Sequence, residues 1–170
     1  MRIKKIKLET GKVFIEYSEE KPDGKSENYT LESTDKPLQS FKDALQGLAG
    51  YIGEICELPE DYCTSITVRG VSFSYGGENK TMGATITGLT LKYANAPLVI
   101  NTPHLPSAPY SKGSDESCLL PDECYFQLMD LQDEANKFLE GQREPDAQMN
   151  LFNNPDFTSI TVSTTNQEQE

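Results

Sequence analysis

The chain has no tryptophan, a single histidine, and four cysteines without a spacing pattern. Each shortage narrows the possible chemistry. His104 lies in the proline-rich stretch "TPHLPSAPYSKGS", and no nucleophile or orienting carboxylate accompanies it in sequence. It reads as an exposed loop histidine. The prolines Pro103, Pro106 and Pro109 are spaced by three, which suits polyproline II or a plain loop. Cys56 and Cys63 enclose six residues, and Cys118 and Cys124 enclose five, where zinc knuckles enclose two to four. They read as ordinary thiols of a reducing compartment, and neither a metal nor a cofactor is expected. "SYGGENKT" has glycines before a lysine, but it joins two strand-like arms, whereas a phosphate loop leads into a helix. No apolar run approaches the ~20 residues of a membrane span. No apolar signal core follows the basic N-terminus. The expectation is a cytoplasmic protein without a membrane partner.

Positive charge is also scarce. The formal net charge is −12, from 15 basic and 27 acidic residues. Such a surface repels nucleic acid phosphate unless its cations cluster. Five of them do: Arg2, Lys4, Lys5, Lys7 and Lys12 lie in the first twelve residues beside one acid, Glu9. With Phe14 and Tyr17 nearby, this segment is a candidate single-stranded DNA interface. At the other extreme, residues 113–136 hold seven acids and no base. That stretch is either a solvated helix face or a phosphate-mimicking surface.

At 170 residues the chain is long enough for one domain with a sizeable core. "RIKKIKLETGKVFIEY" alternates as a hairpin turning at Thr10-Gly11, and Asn28 to Glu32 gives a third strand after the turn at Pro22-Asp23-Gly24. Leu38, Phe41, Leu45, Leu48, Ile52 and Ile55 recur in steps of three and four, which predicts one amphipathic helix from about Pro37 to Cys56. Its glycines Gly47, Gly50 and Gly53 mark close packing on the sheet or a small-residue face for a partner. "SITVRGVSFSY" and "TMGATITGLTLKY" form a long hairpin, and both arms are expected to change face at a glycine, with Val71 opposite Ile86 and Val68 opposite Leu89. Leu98 to Asn101 adds a short strand. A last helix runs from Pro121 to Gly141, with Cys124, Leu128, Leu131, Ala135 and Phe138 on one face. The fold class is α+β: an antiparallel sheet of about five or six strands with two packed helices. Residues 1–140 form the domain, and residues 141–170 form a polar tail.

That tail carries "AQMNLFNNPDF", whose apolar groups have no periodic neighbours to pack with. Within it, Gln148, Met149, Asn150, Leu151 and Phe152 resemble the bacterial sliding-clamp-binding peptide: Gln, an aliphatic residue, a small or polar residue, Leu, Phe. The departure is Met149, where Leu is commonest, and Met is similar in size and more pliable. The resemblance covers five residues. It implies an extended peptide in which Gln148 hydrogen-bonds at a pocket rim, Met149 fills a shallow subsite, and Leu151 and Phe152 anchor an apolar pocket. The alternative is that Leu151, Phe152 and Phe157 fold back, "FTSITV" being strand-like. The body's small acidic character resembles that of accessory proteins of phages and other mobile elements. The implied function is a non-catalytic accessory factor of bacterial or phage DNA replication or repair, with the sliding clamp as partner. An acidic inhibitor of a host protein and a single-stranded DNA-binding protein are the other two classes.

Overall fold

The computed structural model describes residues 1–77, 79–92, 96–109 and 118–145. Its first three strands are β1 (Arg2–Glu9), β2 (Lys12–Glu20) and β3 (Ser26–Ser33). Helices α1 (Gln39–Gln46), α2 (Ala49–Ile55) and α3 (Glu60–Cys63) follow. The chain continues through β4 (Thr67–Gly76), β5 (Thr81–Lys92), β6 (Ala96–Asn101) and β7 (Leu105–Pro106), and α4 (Asp122–Leu139) comes last. The strands make one antiparallel sheet in the order β3-β2-β1-β4-β5-β6, with β7 also on β5. The α+β class with helices packed on an antiparallel sheet is as the sequence implied. No helix among the described residues is long and apolar enough to cross a membrane.

Local chemistry sets the turns. Thr10 at φ 47° and Gly11 at φ 79° give the two-residue primed turn that matches strand twist. At the next turn Gly24 takes φ 79°, and the Lys25 N–H donates to Asp23 Oδ1 at 3.1 Å. Two bulges then set the core face. Pairing slips between Ile3 and Lys5 on β1 and between Val68 and Gly70 on β4. Ile3 and Ile6, three apart, are therefore both buried, as are Val68 and Val71. Gly70 fits the β1–β4 pairing because a Cβ there would lie 2.4 Å from the Ile6 carbonyl oxygen.

The core lies between this sheet face and the helices. Val13, Ile15, Phe73, Met82, Ala84 and Ile86 come from the strands, and Phe41, Leu45, Leu48 and Ile52 from α1, α2 and the turn between them. On α4, Cys124, Leu128, Leu131, Ala135 and Phe138 are all buried, the stripe read from the sequence. Phe138 meets Phe41 at 6.0 Å between ring centroids.

Three expectations are corrected. The helix from Pro37 to Cys56 is broken at Gly47-Leu48, with Pro37 paired to Arg143 in an isolated bridge before α1. At the break, Gln127 of α4 donates to the Ala44 carbonyl at 2.9 Å, through space that a Cβ on residue 47 would occupy. Gly53 makes room for Cys63 of α3 rather than for the sheet, and Gly50 faces open space. Second, only β4 changes face. Val68 pairs with Gly88 and Thr67 with Leu89, so β5 keeps one phase throughout. Gly88 lies under Ile52 and Ile66, and Leu91 is turned to solvent. Third, the proline-rich loop contains a strand: Leu105 and Pro106 pair with Ala84 and Gly83.

The glycines supply a paired test. Gly50→Ala adds a methyl that meets nothing within 4 Å on α2, and should raise stability by about 0.5–1 kcal/mol. Gly70→Ala forces β1 and β4 apart and should lower it by about 1–3 kcal/mol. Urea unfolding midpoints at constant slope measure both, and equal midpoints for the two variants contradict the packing described.

Candidate functional site

The tail motif Gln148, Met149, Leu151 and Phe152 lies outside the described residues. The approach to it is described. After α4, Gly141 turns the chain at φ 93°, and residues 143–144 run back along the β3–α1 link. Glu144 N–H donates to the Lys36 carbonyl at 2.9 Å, and its carboxylate meets Lys42 Nζ at 2.7 Å. The Arg143 guanidinium stacks 4.7 Å over the Phe138 ring and pairs with Asp35. Contacts with the body thus continue to Glu144, and Pro145 is exposed.

Beside this exit is a groove of about 540 Å³ between the β1–β2 turn, α1 and the start of β4. Leu8, Leu45 and Val68 line it with apolar surface, and Lys36, Lys42 and Arg69 add positive charge. Lys36 and Arg69 make no ion pair among the described residues. Gln46 shapes one wall: its amide donates to the Ile66 carbonyl at 2.9 Å and accepts from the Val68 N–H at 3.2 Å. The groove therefore suits an apolar group that carries an anion at its rim.

The basic hairpin is brought together, and acids come with it. Arg2 meets Glu20 at 2.8 Å, Lys5 meets Glu16 at 3.6 Å, Lys7 meets Glu9 at 3.4 Å, and Lys12 meets Glu32 at 2.6 Å. Lys4 donates to Asn28 Oδ1 at 2.6 Å. Hydrogen bonding from Lys80, with the Arg2 charge beside it, holds the Glu20 carboxyl below its ordinary range. Arg2, Lys5 and Lys12 are locally neutralised by acids of β2 and β3 and Lys7 by Glu9 of β1, while Lys4 keeps its charge, which weakens the case for phosphate tracking on this face. Phe14 stands among Lys5, Lys7 and Glu16 in a hollow of about 180 Å³.

Sequence reasoning missed one contact. His104 Nε2 lies 2.9 Å from Ser74 Oγ, and Nδ1 lies 3.4 Å from the Ala84 carbonyl. If Nδ1 donates to that carbonyl, Nε2 accepts from the serine hydroxyl. The β6–β7 edge brings these residues together across thirty positions, so no local signal could reveal the pair. Ser74 also lines a hollow of about 250 Å³ with Arg2 and Lys4.

The thiols do not converge. Among the described residues, no three His, Cys, Asp or Glu side chains gather as metal ligands would. Burial in the core, with Glu54 nearby, pushes the Cys124 thiol up to about 12. These features define an antiparallel α+β body with a basic-rimmed groove and a mostly ion-paired sheet face. No family model, curated protein or solved structure matches the chain.

The elevated Cys124 thiol yields a measurable outcome. The Cys124 side chain is fully covered and its thiol held protonated by burial, so iodoacetamide should leave this residue unmodified in the native protein and alkylate it in denaturant. Peptide mass mapping reads both states. Equal labelling in the two would contradict its burial.

Proposed function

We propose that the chain is a non-catalytic accessory factor of bacterial or phage DNA replication or repair, recruited to the sliding clamp by Gln148–Phe152. The supporting observation is where the core of the described residues closes. The described core runs from Ile3 to Phe138, α4 is closed by Gly141, and exposed Pro145 stands two residues before Ala147 and three before Gln148. The motif thus begins after the last described element of the core. A peptide there would bind with Leu151 and Phe152 as its apolar anchors and with moderate affinity, because its ordering opposes binding.

Calorimetric titration of purified bacterial clamp with the full chain tests this. Each of Leu151→Ala and Phe152→Ala should weaken binding by about thirtyfold or more, the effect of losing ~2 kcal/mol at a hot spot. Unchanged affinity in the double variant removes the reading.

A second reading has its own observation. Asp43 on α1 and Asp130, Asp133 and Glu134 on α4 line one groove in which Lys137 pairs with Glu134, leaving three aspartates as an acidic surface suited to a basic partner. An interaction made there would survive the double variant and fall steeply with salt.

A further inference from the structure

We infer that β6 pairs with β6 of a second copy of this chain, making one antiparallel sheet continuous across a weak homodimer. The two edges of the sheet are built differently. On the β3 edge, Lys21 and Tyr29 both bond Glu27, and Lys12 bonds Glu32. Charges of this kind keep a sheet edge from adding strands. Among the described residues, the β6 edge has no such guard. Residues 96–109 contain no Lys, Arg, Asp or Glu, and two chains of net charge −12 can meet there without opposing charges of their own strands.

The edge is also greasy on both faces. Val99 is 56% exposed on the open face, with Leu91 of β5 at 55% beside it, and Leu98 is 46% exposed on the opposite face. A solvent-facing strand normally shows apolar groups on one face only. An added strand covers both.

Backbone direction completes the argument. Thr102 N–H donates to the Ile86 carbonyl at 3.0 Å, and β5 and β6 stay in register from there, with Ile100 opposite Gly88 and Leu98 opposite Thr90. Hydrogen-bonded pairs alternate along an antiparallel ladder, so Ile100 and Leu98 turn their N–H groups toward β5. Val99 and Asn101 turn theirs outward, the side to which the nitrogen of Pro97 also points. Proline fits at 97 because it lacks the outward donor. A two-fold axis through Val99 sets Val99 against Val99 and Pro97 against Asn101. Val99 then exchanges two hydrogen bonds with its mate, and each Asn101 N–H donates to a Pro97 carbonyl. A strand pairing with itself in this way needs no second complementary surface. Another protein's strand would need a matching sequence that nothing on this edge specifies.

A six-residue edge is smaller than the roughly 800 Å² per partner of a standard interface, so association should be weak and concentration-dependent. Sedimentation velocity on the full chain, from about 10 to 500 µM, should show a growing dimer fraction. Hydrogen exchange over that range should show the Val99 and Asn101 amides gaining protection, while Ile100 and Leu98 are protected throughout. Val99→Pro removes an outward donor without breaking the β5 ladder, and Val99→Lys sets two cations face to face. Each should weaken dimerisation at least tenfold while circular dichroism stays that of the parent. A parent that is monomeric at every concentration overturns the inference. So does a dimer unaffected by Val99→Lys, which would place the contact elsewhere, for example at Phe126 and Met129 on α4. Protection of Val99 in a monomer would assign the edge to this chain's own residues and also overturn it.

Discussion

Everything in this body depends on two strands that each skip a beat. A regular strand sends alternate side chains to opposite faces, so residues three apart cannot share a core. Ile3 and Ile6 on β1 do share one, and so do Val68 and Val71 on β4. The bulges near Lys4 and Arg69 make this possible and lie beside the short ladder that pairs β1 with β4, with Gly70 against the Ile6 carbonyl. Without them, one end of each central strand would turn its apolar residues to water. The helices would then have half a floor to pack on. Burial of those side chains is worth roughly 1.5–3 kcal/mol apiece, far more than a ladder bond lost at a bulge.

The helical layer is organised by polar side chains as much as by apolar ones. Gln127 reaches from α4 to the Ala44 carbonyl, and Gln46 fixes the Ile66 carbonyl and the Val68 N–H at the entry to β4. Both occupy backbone groups left open where regular structure stops. Thr102 does the same on the sheet, its hydroxyl accepting from the Ile86 N–H at 2.9 Å where β6 ends. The sheet's outer strands can thus change direction without stranding a buried donor. One product of that bend is the approach of His104 to Ser74.

How much of this was legible follows from what each signal measures. The α4 stripe was readable to the residue because one helix packs one face on one core, and periodicity reports that directly. The β4 bulge was readable as a change of phase across Gly70. The same logic misled at Gly88. Leu89 and Leu91 looked like a second core phase, but they face outward at the end of β5, and Gly88 and Thr90 hold the inner positions. Hydrophobicity reports burial, and these leucines are apolar without being covered. The break at Gly47 was hidden for another reason: steps of three and four persist across a one-residue kink. The basic hairpin was read as a charge cluster because its acids, Glu16, Glu20 and Glu32, lie on the return strands. Charge pattern along a chain does not report charge pattern across a sheet. The tail motif remains a reading of sequence alone.

These observations divide the surface by what water does to it. The face of β1–β3 is covered by ion pairs, which gain little from a partner because exchanging solvent for protein around a charge costs desolvation. The acidic outer side of α4 is likewise well hydrated. Apolar surface in contact with water is concentrated elsewhere: at the β6 edge, where Leu91, Leu98 and Val99 meet solvent, and at Phe126 and Met129 on α4. Free energy for association is available at such places and nearly absent on the ion-paired sheet. Of the two, the edge also turns the Val99 and Asn101 N–H groups away from β5, so a partner there gains direction as well as area. The helix patch offers area alone and is flanked by Asp130 and Asp133. A chain so rich in acid is held apart from its copies by charge, and among the described residues the uncharged strand β6 presents no like charge to a second copy.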